Sequence, residues 1–350
     1  MNIVVLAGGF AERLWPLTER FPKALLQLPG GSILEHLAAN VSRISGINSM
    51  TICIDAPQEK LFEAEAANLA SPQGMQWNVA RHPVKGSTPL GPVTKLRDLW
   101  LERRLYDLRA EETLVLGADN VFGFPLPEFL TFCRKKRSSG EVVAVQKLES
   151  QIDASEFGAP EVRASGVLSN MVEKPQDTEV DLISTACYFL TPDSMEAADT
   201  YLTQGLEDNL GRFIGWLAHK RQVLSYQFTE EWYDTGSREG LLNANALLLK
   251  DATSGSPSIV HGALRRLGSV FCAPGVEVQD SILGPNAFIG AEARIENSTV
   301  SNSIVYEGAI IRNSHVVNTV VGPSSVIEGS LDALVTGPGT RVLAEERSQR

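Results

Sequence analysis

The chain has 350 residues, with 31 lysines and arginines against 42 aspartates and glutamates, and a formal net charge of -11. That length suits two cores rather than one, and the acidic balance argues against nucleic acid as a partner while leaving room for one nucleotide held by a local cluster of cations. No apolar run is long enough to span a bilayer, and the apolar start lacks the basic region of a signal peptide, so no membrane is expected. The four cysteines, Cys53, Cys133, Cys187 and Cys272, are scattered without metal-ligand spacing and read as reduced, buried thiols of a cytoplasmic protein.

In chain order, Ile3 to Leu6 is a β-branched, apolar run suited to a central parallel strand, and it breaks into Ala7-Gly8-Gly9. Glycine allows positive φ or close approach of the backbone, so N–H groups here can lie against a ribose or phosphate. Arg13 and Lys23 follow, a guanidinium fork and a point charge for a polyanion. A tight turn before a basic surface loop is the plainer alternative. Ile33 to Ile44 and Val93 to Tyr106 are amphipathic, while Thr51 to Ile54, Thr113 to Leu116 and Val142 to Val145 are compact buried-strand candidates. This alternation over residues 1–250 predicts an α/β fold: a Rossmann-like, mostly parallel sheet with helices on both faces, and ligands beyond the carboxyl ends of the strands. Gly117-Ala118-Asp119-Asn120 falls just past one such end, where the aspartate serves either an Asx-turn or a metal. Further on come Phe157-Gly158, a hairpin around Gly166-Val167-Leu168, Glu173-Lys174-Pro175, and Trp232-Tyr233-Asp234-Thr235-Gly236-Ser237 ahead of a helix.

After Lys250 the texture changes. Residues 251–264 read as a linker, and from 265 to 331 Gly, Ser, Asn and β-branched residues recur at short intervals. The octets Ile282-Leu283-Gly284-Pro285-Asn286-Ala287-Phe288-Ile289 and Val320-Val321-Gly322-Pro323-Ser324-Ser325-Val326-Ile327 share a Gly-Pro, and Ile304, Ile310 and Val316 keep the same hexapeptide interval. Such periodicity predicts a parallel β-helix in preference to a small sandwich. Residues 332–350 drift out of register and read as a cap and tail.

The segment from Leu6 to Lys23, with Pro16-Leu17-Thr18 and Pro22-Lys23, resembles the signature of the sugar-1-phosphate nucleotidyltransferases, roughly L-A-G-G-x-G-T-R-L-x-P-L-T followed by P-K. Glu173-Lys174-Pro175 is similar to the family's E-K-P, and Trp232 to Ser237 to its W-x-D-I-G-T. The resemblance implies that Leu6, Ala7, Gly8, Gly9, Arg13, Lys23, Arg81 and Gly86 hold a nucleoside triphosphate. It implies that Gly158, Glu173, Lys174 and Thr185 hold a sugar-1-phosphate, and that Asp119 and Asp234 hold Mg²⁺. Arg13, Lys23 and Lys174 would carry catalysis by pairing the phosphates. It also makes the β-helix left-handed; the flat faces and edges of stacked coils suit homo-oligomer formation. The chain departs from the pattern at Ala11-Glu12, where the family has Gly-Thr, at the extra Ala118, at Thr185 in place of an asparagine, and at Arg81-His82, where a glutamine reads a pyrimidine. Arg81 suits a purine edge instead. Among subgroups, the long glucose-1-phosphate thymidylyltransferases come first and the mannose-1-phosphate guanylyltransferases second. An inactive sugar-nucleotide sensor is the rival reading. Acyl transfer at His261 or His315 is a minor one, since neither histidine has a partner motif.

Overall fold

The computed structural model describes all residues except 9–10, 73–74, 86–87, 102–111, 137–139, 149–153, 177–179, 253–254 and 344–350. The chain divides into two compact units, one of Met1–Gly9 with Leu37–Trp232 and one of Phe10–His36 with Tyr233–Arg350.

The first unit is built on a seven-stranded sheet. Its strands are β1 (Asn2–Leu6), β2 (Ser49–Asp55), β3 (Asn78–His82), β4 (Thr113–Gly117), β5 (Glu141–Lys147), β6 (Leu182–Leu190) and β7 (Val223–Phe228). They lie in the order β7-β5-β6-β4-β1-β2-β3. β1 pairs parallel with β2 and β4, β2 with β3, and β5 with β7, so the sheet is mostly parallel. β6 runs antiparallel to both its neighbours. The three strands expected from apolar composition are thus β2, β4 and β5, each slightly longer than its apolar run.

The helices are α1 (Ile33–Val41), α2 (Glu59–Ala66), α3 (Pro92–Leu101), α4 (Leu126–Lys135), α5 (Pro192–Thr203), α6 (Leu210–Ala218) and α7 (Arg238–Asp251). The stretch expected as a helix from Val93 to Tyr106 is α3 as far as Leu101, and its remainder lies outside the described residues. Val4 of β1 shares a core with Val93, Leu96 and Leu99 of α3, Met195 and Tyr201 of α5, and Phe213 and Leu217 of α6. Ile3 and Val5, also fully buried, point to the opposite face because strand side chains alternate. A strand buried on both faces is uniformly apolar, which is why β1 reads as a run without alternation.

The second unit contains the parallel β-helix. Its coils stack in register: Val278 pairs with Ile295, Ile295 with Ile311 and Ile311 with Ile327, all of them buried along one axis. Corners are turned by residues with positive φ, among them Asn302 (42°) and Asn318 (49°). Asn302 Nδ2 donates to Asn318 Oδ1 (2.7 Å), and Asn318 Nδ2 to Asp332 Oδ1 (3.1 Å). A serine ladder runs beside the axis. The backbone N–H groups of Ser298, Ser314 and Gly329 donate in turn to the hydroxyls of Ser281, Ser298 and Ser314, each at 3.0 Å. The Ser- and Asn-rich composition is therefore the means by which buried corners satisfy their backbone groups. Six of the eight residues of the strand Ile259–Arg266, paired parallel with Glu277–Leu283, fall in the stretch expected as a linker. Arg341–Val342 pairs with Val326 and Ile327 inside the expected cap.

Candidate functional site

In the first unit the carboxyl ends of β1, β2 and β4 lie side by side. Leu6 ends β1, and its carbonyl accepts from Ala118 N–H (3.0 Å), while Ala7 N–H donates to the Cys53 carbonyl (2.8 Å). Gly8 is exposed, and its φ is outside the left-handed region. Its glycine is required by close packing: a Cβ there would lie 2.2 Å from Lys95 Nζ and 3.0 Å from Asp55 Oδ2. Gly9 and Gly86 lie outside the described residues.

Asp119, half-buried, follows β4. Its Oδ1 accepts from Asn120 Nδ2 (2.7 Å), and Asn120 Oδ1 accepts from the indole N–H of Trp232 (2.8 Å). A buried indole thus fixes a buried amide, which orients the carboxylate. Gly117 makes room for this fold-back, since a Cβ on it would fall 2.5 Å from Asn120 Nδ2 and 2.9 Å from Asp119 Oδ1.

A second group of residues gathers at the hairpin of Gly158–Val162 with Leu168–Glu173, where Gly158 pairs with Glu173. A Cβ on Gly158 would lie 3.1 Å from Glu173 Oε2, and one on Gly211 only 2.2 Å from the same oxygen. Glu173 therefore sits at the amino end of α6, where exposed N–H groups favour a negative charge. The same helix is capped by Asn209, whose side chain accepts from Arg212 N–H (2.9 Å). Lys174 comes next with φ 49°, held by its N–H to the Phe157 carbonyl (3.0 Å), and its side chain is exposed.

One candidate is spent on another contact. Thr185 is fully buried in β6 and donates its hydroxyl to the Ala144 carbonyl (3.0 Å), so it offers a sugar nothing. Arg81, on the edge strand β3, makes only a surface ion pair with Glu59 (2.9 Å), its side chain 58% exposed. Asp55 and Lys95 were not singled out by the sequence; their signal was a charge at the end of an apolar strand and another amid the apolar positions of a helix.

In the second unit, Gly236 marks a convergence. A Cβ on it would lie 2.6 Å from Asp234 Oδ1, 2.9 Å from Arg13 Nη2 and 3.0 Å from Lys23 Nζ. Asp234 Oδ1 accepts from Gly236 N–H (2.5 Å), and Ser237 caps α7 by accepting from Gly240 N–H (3.0 Å). Two cations and a carboxylate brought together from segments more than two hundred positions apart suit a polyphosphate and its counter-ion. Glu12 is exposed, in a turn that starts from Ala11 at φ 44°. Leu14 N–H (3.0 Å) and the Thr18 hydroxyl (2.8 Å) both donate to the Ala11 carbonyl and hold that turn.

All four cysteines are buried and free. Burial pushes the Cys53 thiol up to about 12 and that of Cys272 to about 11, so neither is a nucleophile. No helix among the described residues is long and apolar enough to cross a membrane. Among the described residues no three His, Cys, Asp or Glu form a metal cluster. A single oriented carboxylate such as Asp119 nevertheless suits magnesium, which commonly fills its shell with substrate phosphates and water.

The sequence profile of a family described as nucleotidyl transferase matches residues 2–251. The glucose-1-phosphate thymidylyltransferase of Streptomyces griseus is 26% identical over 334 residues, covering 94% of this chain and 89% of its own. The mannose-1-phosphate guanylyltransferase catalytic subunit beta of Drosophila pseudoobscura pseudoobscura is 25% identical over 293 residues, 83% of this chain and 71% of its own. Among solved structures, a putative glucose-1-phosphate thymidylyltransferase from Bacillus anthracis superposes with a TM-score of 0.56 at 18% identity. It covers 73% of this chain and 97% of its own, which shows a shared fold.

Proposed function

The chain belongs to the nucleotidyl transferase family, and from that premise we propose that it joins a nucleoside triphosphate to a hexose-1-phosphate, giving a nucleoside-diphosphate sugar and pyrophosphate. The observation that carries the reading is the convergence of Arg13, Lys23 and Asp234 at Gly236. In this reaction a phosphate oxygen of the sugar-1-phosphate attacks the α-phosphorus, and the bond to the β-phosphate oxygen breaks. No protein nucleophile is needed; the protein aligns two anions and neutralises developing charge. Arg13 and Lys23 pair the triphosphate, and the exposed Lys174 pairs the sugar phosphate. Glu173, anchored at α6, accepts from sugar hydroxyls. Asp119, oriented by Asn120, and Asp234, oriented by Gly236, are the residues that would hold magnesium. When bound, that ion screens the α-phosphate and the leaving pyrophosphate.

Thymidylyl transfer to glucose-1-phosphate is the first specific reading, supported by the relative that spans 94% of this chain. Guanylyl transfer to mannose-1-phosphate is the second, supported by relatives of that activity at 24–25% identity. Arg81, exposed in its surface pair with Glu59, stays available to read a purine edge. Mass spectrometry of the products from dTTP with glucose-1-phosphate and from GTP with mannose-1-phosphate tests the choice. A dTDP-sugar is the expected product; a GDP-sugar alone would replace the first reading with the second.

A further inference from the structure

Asp55 ends β2, and Lys95 lies on α3, whose amino end is fixed by Asp208 accepting from Val93 N–H (2.8 Å) and Thr94 N–H (3.1 Å). Lys95 Nζ donates to Asp55 Oδ1 at 2.8 Å, with side-chain exposures of 4% and 8%. Two charges taken this far out of water need each other, and shifting either one to make space breaks a buried pair. The ammonium also occupies the space that a side chain at position 8 would fill, 2.2 Å from where its Cβ would lie. An unclamped lysine tip would swing aside for a methyl group, whereas this one is held.

We propose that Lys95 is a positioning residue for the nucleotide: clamped by Asp55, its ammonium sets the seat of the Gly8 backbone and makes glycine obligatory there. The proposal rests on the reading of Gly8 as part of the triphosphate subsite, and it adds a reason for the first glycine of the motif that lies beneath the loop instead of in the ligand. A side chain at position 8 either displaces Lys95 from Asp55 or lifts the Gly8 backbone, and a lifted backbone presents the Gly8 N–H at the wrong height. The pair is electrically neutral as a unit, so its effect on the nucleotide is one of placement.

The test separates volume from charge with the full-length protein, by calorimetric titration of dTTP, UTP, GTP, ATP and CTP with Mg²⁺ and no sugar phosphate. With the tightest of these, Gly8→Ala alone is expected to weaken binding at least about ten-fold, the size of coupling between groups in contact. In Lys95→Met/Asp55→Asn, where the volume stays but the clamp is gone, the Gly8→Ala penalty falls partway, because the unheld tip swings aside. In Lys95→Ala/Asp55→Asn, where the space is free, the penalty falls below about two-fold. An equal penalty in all three backgrounds overturns the proposal, because a merely structural pair would lower the unfolding midpoint without coupling to position 8. Should the alanine background fail to fold, Asp55→Ala alone releases the clamp, and an undiminished Gly8→Ala penalty there overturns the proposal equally. A folded wild-type protein that binds none of the five triphosphates is a different result, and it removes the nucleotide reading of the loop itself.

Discussion

At position 11 the family pattern has glycine and this chain has alanine, and the backbone there is left-handed, with φ 44° and ψ 48°. A left-handed alanine costs about 1 kcal/mol, tolerated because the Leu14 N–H and the Thr18 hydroxyl pin its carbonyl. Ala11→Gly is therefore expected to raise stability by about 1 kcal/mol in chemical denaturation; a loss would show that the turn is not strained. Asp119→Asn is expected to cut turnover at least about a hundred-fold, the scale of losing one group that stabilises developing charge, with an unfolding midpoint close to wild type. Retained turnover would take Asp119 out of the metal site. The buried thiols set an alkaline limit. Their folded-state pKa lies above the reference of 9.0, about 11 for Cys272 and about 12 for Cys53, so the unfolded chain ionises first. Stability is full below pH 9 and falls as pH rises toward 11, which thermal melts across that range would follow. Residue identities at the motif were legible in the sequence, but their causes were not. Gly8 reads as a phosphate glycine, and only the fold brings Lys95 beneath it. Thr185 reads as a sugar contact, and only the sheet turns its hydroxyl onto Ala144.

Elements were legible where a single pattern had one physical cause. β1, β2, β4 and β5 announce themselves because strands buried on both faces are apolar throughout. The coils from Val270 onward do so because stacking repeats the same buried position turn after turn. Ile259–Arg266 escaped notice because nearly all of it is exposed, so its side chains carry no apolar rhythm although its backbone pairs with the next coil on either side of an irregularity after His261. The serine ladder yields a prediction at this scale. Ser298→Ala leaves the buried Ser314 N–H without its acceptor and is expected to cost about 1–3 kcal/mol in chemical denaturation. A neutral outcome would mean that the corner repacks.

For the whole molecule, the division of the chain could not be read from composition. Phe10–His36 belongs with Tyr233–Arg350, so the segment that bears Arg13 and Lys23 is part of the unit that contains the β-helix. Leu17, Phe21, Leu25 and Leu26 line a cleft of about 500 Å³ together with Phe288 and Tyr306 of the coils. A Cβ on Gly337 would fall 2.9 Å from the Pro16 ring. The β-helix thus packs against the turn that bears Arg13 and Lys23. A chain ending at Lys250 keeps Asp119, Glu173 and Lys174 and is expected to lose triphosphate binding in calorimetry; full affinity would assign the coils to some other role. Nucleotidyl transfer itself is tested most directly by pyrophosphate release from the intact chain, with Mg²⁺ or with EDTA, across five nucleoside triphosphates and glucose-, mannose-, galactose- and N-acetylglucosamine-1-phosphates. Magnesium-dependent release confined to one pairing of base and sugar is the predicted result. Triphosphate binding without release in any pairing would contradict it and make the protein a sensor of nucleotides.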